Sequence, residues 1–116
     1  MNDNPKDINE RLEKLKRAYV NNLGAMIEEV ESSAGAVRID PLSGQRFEAL
    51  DALIQIAHKL AGSGGIFGFA EISDAAERAE TACEAMLETP SMDLWQSIEG
   101  HLDKLRSAVN DARAGA

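Results

Sequence analysis

The sequence predicts an all-α fold, an antiparallel up-down four-helix bundle with one chemically notable histidine on the second helix. Three observations point there. Apolar residues recur at three- and four-residue steps in four separate stretches, which is the helical period. Short breaks rich in Gly, Pro and Ser join these stretches, and short connections make antiparallel neighbours. No stretch alternates apolar with polar residues, and aromatic residues are only 4 % of the chain, which fits a Leu/Ile/Ala bundle rather than a β-sandwich.

Asn4-Pro5 is a helix start, with Asn as cap and Pro at the first helical position. Ile8, Leu12, Leu15, Tyr19, Leu23, Met26, Ile27 and Val30 then form one stripe, read as core, along a first helix at about 5–32. Gly24 weakens it locally and suits a close helix–helix contact. Ser33 to Leu42 reads as a loop, after which Asp40-Pro41 or Ser43 caps a second helix at about 43–64. On that helix Phe47, Leu50, Leu53, Ile54, Ala57, Leu60 and Ala61 share one side, and Asp51, Gln55, Lys59 and Gly62 the other. Gly64-Gly65 is expected to end it. A third helix, about 69–88, carries a narrow stripe of Ile72, Ala75, Ala76, Ala79, Ala82, Cys83 and Met86. Its small side chains let a neighbour approach closely. Thr89-Pro90-Ser91 is a stop and restart, with Ser91 capping a fourth helix at about 91–113. Leu94, Ile98, Leu102, Leu105, Val109 and Ala112 line its inner face, with Trp95 and a solvated His101 flanking. The whole chain, 1–116, is expected to be a single domain.

Composition narrows the function. The formal charge of −8 argues against a surface for nucleic acid or anionic membrane, either of which needs a basic patch. No apolar run nears the ~20 residues that span a bilayer. The first residues hold no apolar signal core, so a cytoplasmic location is expected. Cys83 is the single cysteine and reads as a small apolar residue in a reducing compartment. Two histidines and one cysteine, without His-x-x-x-His, Cys-x-x-Cys or Glu-x-x-His spacing, predict no metal site. Gly62-Ser63-Gly64-Gly65 lacks the Gly-Lys-Ser/Thr ending of a phosphate loop, and no nucleophile elbow or ATP-binding signature is present.

His58 remains. It falls at the edge of the apolar stripe, with Asp51 seven residues back and Gly62 four ahead on its own face. Four glycines follow within Gly62 to Gly68. Each weakens a helix interior by roughly 1 kcal/mol, so the backbone there must turn or be closely approached. Two readings stay open on these grounds: a plain surface histidine beside a turn, or a nucleophile or proton carrier whose approach Gly62 leaves bare.

Ala57-His58-Lys59-Leu60-Ala61-Gly62-Ser63 resembles the signature of the histidine-containing phosphotransfer (HPt) domain, alanine-histidine-x-leucine-lysine-glycine-serine. The tail Gly65-Ile66-Phe67-Gly68-Phe69 is most similar to the phosphotransfer domain of chemotaxis histidine kinases. The resemblance is specific from Ala57 to Glu80. It implies that His58 is the phosphoacceptor and that Glu80, twenty-two residues on, orients the imidazole by accepting its hydrogen bond. Gly62, Lys59 and Ser63 would support the site, although Lys59 points about 100° away from His58 around the helix. One departure stands out: the family's lysine, three residues after the histidine, is Ala61 here.

The resemblance further implies a phosphocarrier with no kinase activity and no cofactor of its own. Mg²⁺ is expected on the partner, and the partners would be response-regulator receiver domains or a hybrid histidine kinase. Asp51, Ile54, Gln55 and Gly65, with Phe47 at the edge, would surround His58 as the docking surface of a monomer. The alternatives are an excised phosphotransfer domain of a chemotaxis-type kinase, phosphorylated by a kinase core, and a helical adaptor that is never phosphorylated.

Overall fold

An amphipathic helix is stable in water only when its apolar stripe is covered, so four such stripes in one chain have to cover one another. The computed structural model of the chain describes residues 5–44 and 46–115. It contains four helices: α1, Pro5–Ile39; α2, Arg46–Ile66; α3, Ala70–Glu88; and α4, Met92–Ala114. Each packs on the next and α4 returns to α1, which closes an all-α four-helix bundle. Leu23, Val30, Leu50, Leu53, Leu60, Ile72, Met86, Ile98, Leu102 and Leu105 are fully buried along its axis.

The α1–α4 side shows the antiparallel register in its charges. Arg38 clasps Glu99 with two bonds, Nε to Oε2 at 2.8 Å and Nη2 to Oε1 at 2.7 Å. Seven residues back along α1, Glu31 accepts from Arg106 Nε at 2.6 Å, seven residues forward along α4. After another seven in each direction, a Cβ at Gly24 would lie 3.4 Å from the guanidinium of Arg113. This seam runs beside the longest helix but the least intimate contact of the bundle.

Several boundaries differ from expectation. α1 continues through Ser33–Ile39, where a loop was expected, because Ala34 and Val37 extend the Val30 stripe and are fully buried. Its start at Pro5 agrees, while the expected cap, Asn4, lies outside the described residues. Ile8, Leu12 and Leu15 are not core: they are 45 %, 51 % and 56 % exposed. The reason is length. At 1.5 Å per residue, the 35 residues of α1 span about 52 Å, whereas the 19 to 23 residues of the other helices span about 29 to 35 Å, so the first turns of α1 outrun their partners.

α2 begins at Arg46 rather than Ser43, which with Asp40 builds a turn: Ser43 N–H donates to the Asp40 carbonyl and Arg46 N–H to the Ser43 carbonyl, both at 3.2 Å. Arg46 is buried, bonds the Ser43 and Leu42 carbonyls at 2.6 and 3.1 Å, and lays its guanidinium 4.4 Å from the ring centroid of Phe47. Phe47 therefore lies half-exposed outside the core, and Ile56 is buried within it. Trp95, expected to flank the α4 stripe, is buried as well. Ser91 caps α4 as its sequence suggests, accepting from Leu94 N–H at 3.1 Å.

Pairing with Arg38 holds the Glu99 carboxyl below the usual carboxylate range. Its stabilising contribution is complete above the unfolded value of about 4.3 and is lost as pH falls through the lower folded value. Thermal melts at about pH 5 and about pH 3 should therefore show a larger acid loss for the wild type than for Glu99→Gln, and equal losses would contradict the assignment. Burial, with smaller contributions from the Glu84 and Glu80 charges, pushes the Cys83 thiol up to about 12. Iodoacetamide at about pH 8 should leave Cys83 untouched in the native chain and modify it once guanidinium unfolds the bundle.

Candidate functional site

The glycines after His58 have three distinct jobs, and the break at Gly64-Gly65 is not one of them. α2 runs through both and ends at Ile66. Its terminator is Gly68, whose φ of +83° is a left-handed conformation that only glycine adopts without cost. Phe69 N–H donates back to the Gly64 carbonyl at 2.7 Å and Gly68 N–H to the Gly65 carbonyl at 3.4 Å, the paired bonds of a Schellman ending. The reversed chain brings Phe67 and Phe69 against Tyr19 of α1, with ring centroids at 5.1 and 5.7 Å. Neither the sequence pattern nor the motif had singled out this aromatic cluster.

Gly64 serves proximity. It is buried, and a Cβ there would sit 3.1 Å from the Ser73 backbone nitrogen and 3.3 Å from the Phe69 carbonyl oxygen. Gly65 faces the same neighbour, with Ser73 Oγ 3.5 Å from its would-be Cβ. Ser73 Oγ also donates to the Ala61 carbonyl at 2.7 Å. The start of α3 is thus held against bare α2 backbone. Ser73 went unnoticed in the sequence, although a hydroxyl beside an alanine-rich stripe, seven residues before Glu80, was a usable signal.

That approach brings two side chains together. His58 Nδ1 lies 2.9 Å from Glu80 Oε2. The imidazole is 76 % exposed and the carboxylate only 18 %. With its proton on Nδ1 the ring donates to Glu80, which leaves the lone pair of Nε2 on the solvent side. A half-buried carboxylate behind an exposed ring fixes the orientation of that ring.

Other residues named from the sequence are arranged along α2. Gly62 is exposed, one turn beyond His58, and nothing lies within 4 Å of a Cβ built there. No packing demand explains it. Ser63 Oγ donates to the Lys59 carbonyl at 2.6 Å, and the Lys59 side chain is exposed. Gln55 Nε2 donates to Asp51 Oδ2 at 2.8 Å, one and two turns before His58, with Ile54 half-buried beside them. Phe47 is eleven residues from His58, about 16 Å along the helix, at the far end of that face. Ala61, at the position of the lysine in the resembled motif, is half-buried against the core. His101 is on α4, partly buried, with Nε2 3.4 Å from Ser97 Oγ, and takes no part in this cluster.

Among the described residues, no group of three or more His, Cys, Asp or Glu side chains is arranged to hold a metal ion. No helix among them is long and apolar enough to cross a membrane. The family model of the Hpt domain matches residues 6–114. The chain belongs to the Hpt domain family. No curated protein and no solved structure matches it. Membership gives the chain a histidine phosphotransfer role in two-component signalling, in which Hpt domains act as phosphocarriers and interact with receiver domains and kinases.

The two glycines two residues apart should respond oppositely to alanine. Gly62→Ala gains helix propensity in open space and should stabilise the chain by up to about 1 kcal/mol. Gly64→Ala gains the same propensity but drives a methyl into fixed backbone, for a net loss of about 1 kcal/mol or more. Urea denaturation of both variants measures the contrast, and a stable Gly64→Ala chain would disprove the close approach.

Proposed function

We propose that this Hpt chain is a phosphorelay intermediate, in which His58 accepts a phosphoryl group from a receiver-domain aspartate and passes it to another receiver. The observation that carries this reading is the contact between His58 Nδ1 and Glu80 Oε2 at 2.9 Å, on a ring that is otherwise open. In the forward step the Nε2 lone pair of neutral His58 attacks phosphorus, and the bond from phosphorus to the aspartyl oxygen breaks. The aspartate leaves as a carboxylate. The ring keeps its Nδ1 proton and becomes a phospho-imidazolium, whose positive charge faces the Glu80 carboxylate. Delivery to a second receiver reverses the same steps.

The partner completes the site. Mg²⁺ and a lysine on the receiver would supply cationic stabilisation of the transferring group. That division of labour suits a chain with Ala61 in place of the family's lysine. Gly62 keeps the path to Nε2 clear. Asp51, Ile54, Gln55, Lys59, Ser63 and Gly65 form the surrounding α2 surface on which a receiver would rest. The chain would act as a cytoplasmic monomer.

Incubation with a panel of phosphorylated receiver domains, followed by mass spectrometry that preserves phosphohistidine, tests the reading. The expected result is a gain of one phosphoryl group on His58, absent in His58→Gln. That variant should melt like the wild type, because an exposed ring carries little packing. Glu80→Ala should slow transfer about tenfold or more without abolishing it. Labelling only by a chemotaxis-type kinase core with ATP would overturn the relay in favour of an excised kinase domain. No labelling from either source would point to an adaptor.

A further inference from the structure

We infer that Ser73 is a positioning residue for the chemistry of His58: its hydroxyl, bonded to the Ala61 carbonyl, sets the axial register of α3 against α2 that brings Glu80 to Nδ1. The inference rests on the phosphotransfer reading above for its consequence, but on geometry for its content. Ser73 and Glu80 are seven residues apart on α3, two turns along one face, and Ala61 is three residues beyond His58 on α2. The two contacts, Ser73 Oγ to the Ala61 carbonyl at 2.7 Å and Glu80 Oε2 to His58 Nδ1 at 2.9 Å, are therefore two rungs of one ladder between antiparallel helices.

Three features make the Ser73 rung more than a satisfied hydroxyl. A serine in a helix usually bonds its own preceding turn, and here the Phe69 carbonyl is at hand for that. Ser73 instead reaches a carbonyl twelve residues away on another helix. Second, α2 is cleared of side chains at that level: the bare faces of both Gly64 and Gly65 meet Ser73. Third, the stretch of α3 between Ser73 and Glu80, which lies between the buried Ile72 and Met86, holds no long buried side chain to fix register. Ala75, Ala76 and Ala79 are buried there, and alanine offers no long knob to lock into a facing hole. A slip by one residue moves an atom about 1.5 Å along the axis. Such a shift stretches the 2.9 Å contact to about 3.3 Å if it runs across the line of the contact and to about 4.4 Å if it runs along it, beyond the range of a good hydrogen bond. Serine, with a single χ angle, is a stiffer spacer than glutamate with three.

The test uses the full chain, with Ser73→Ala compared against wild type in two independent readouts. The first is the ¹⁵N spectrum of the His58 ring, which reports the tautomer without any phosphotransfer. Wild type should show Nδ1 protonated and Nε2 bare, and Ser73→Ala should move the two shifts toward each other. The second is the rate of phosphoryl transfer from a receiver, expected to fall about three- to tenfold. In a Glu80→Ala background the same Ser73→Ala change should have no further effect on rate, because Ser73 acts through Glu80. Should Ser73→Ala fail to fold, Ser73→Cys keeps the shape, weakens the donor and is read the same way. A lowered melting temperature with an unchanged tautomer and rate would overturn the inference and leave Ser73 a structural tie. If the wild type accepts no phosphoryl group, the functional reading fails, and the tautomer shift still decides the role of Ser73.

Discussion

Packed helices ordinarily keep their axes 8–10 Å apart, at a distance set by the side chains between them. Between α2 and α3 those side chains are nearly absent at one end. Gly64 and Gly65 present bare backbone, α3 answers with Ser73 and a run of alanines, and any Cβ at Gly64 would press on fixed backbone atoms. The meeting of His58 with Glu80 is a consequence of this approach. A carboxylate that is mostly buried can reach an imidazole that is mostly exposed only if its helix lies close behind the ring. The Schellman turn at Gly68 serves the same end. It reverses the chain tightly enough for α3 to begin beside the last turn of α2, and the Tyr19–Phe67–Phe69 stack fastens that turn to α1.

The fold separates what holds it together from what it exposes. Stability comes from the apolar axis and, on the α1–α4 side, from the heptad-spaced charged seam of Arg38, Glu99, Glu31 and Arg106. His58 contributes little to either. On the proposed reading, a nucleophile placed this way gains and loses a phosphoryl group without unsettling the core beneath it, since the groups that change charge face water. Glu80 links the ring to the scaffold, and it does so through a hydrogen bond.

Much of this was legible in the sequence. Four stripes at helical spacing gave four helices, Ser91 capped where a cap was needed, and the interval from His58 to Glu80 matched a contact. What escaped notice had physical reasons. Ser33 and Gly35 look like a loop locally, yet burial of Ala34 and Val37 outweighs their weak helix propensity, so α1 continues. Ile8, Leu12 and Leu15 keep perfect helical spacing, but periodicity reports a face and cannot report whether any neighbour is long enough to cover it. Gly64-Gly65 read as a stop because glycine ends helices. Here tertiary contact with Ser73 and Phe69 supports the helix through them, and the positive φ falls on Gly68. The hydroxyl of Ser73 beside the alanine stripe was visible, but its partner was not, because a carbonyl carries no sequence signature.

Gly62 and Gly64 look alike on paper and are opposite in kind. Gly64 is demanded by packing, whereas at Gly62 a Cβ would meet nothing within 4 Å, and packing supplies no reason for glycine. A residue that lowers helix propensity with no packing return is expected where function outweighs stability. Gly62 lies one turn from His58 on the solvent side, where, on the proposed reading, a reactant would come within bonding distance of Nε2. Ala61 sharpens the point. A lysine there would hold phosphoryl oxygens in the bound state as well as during transfer, and uniform binding of that kind deepens a well without lowering the barrier out of it. On the proposed reading, a chain that keeps the path to the ring clear and contributes no cation of its own at this position is arranged to hand its phosphoryl group on.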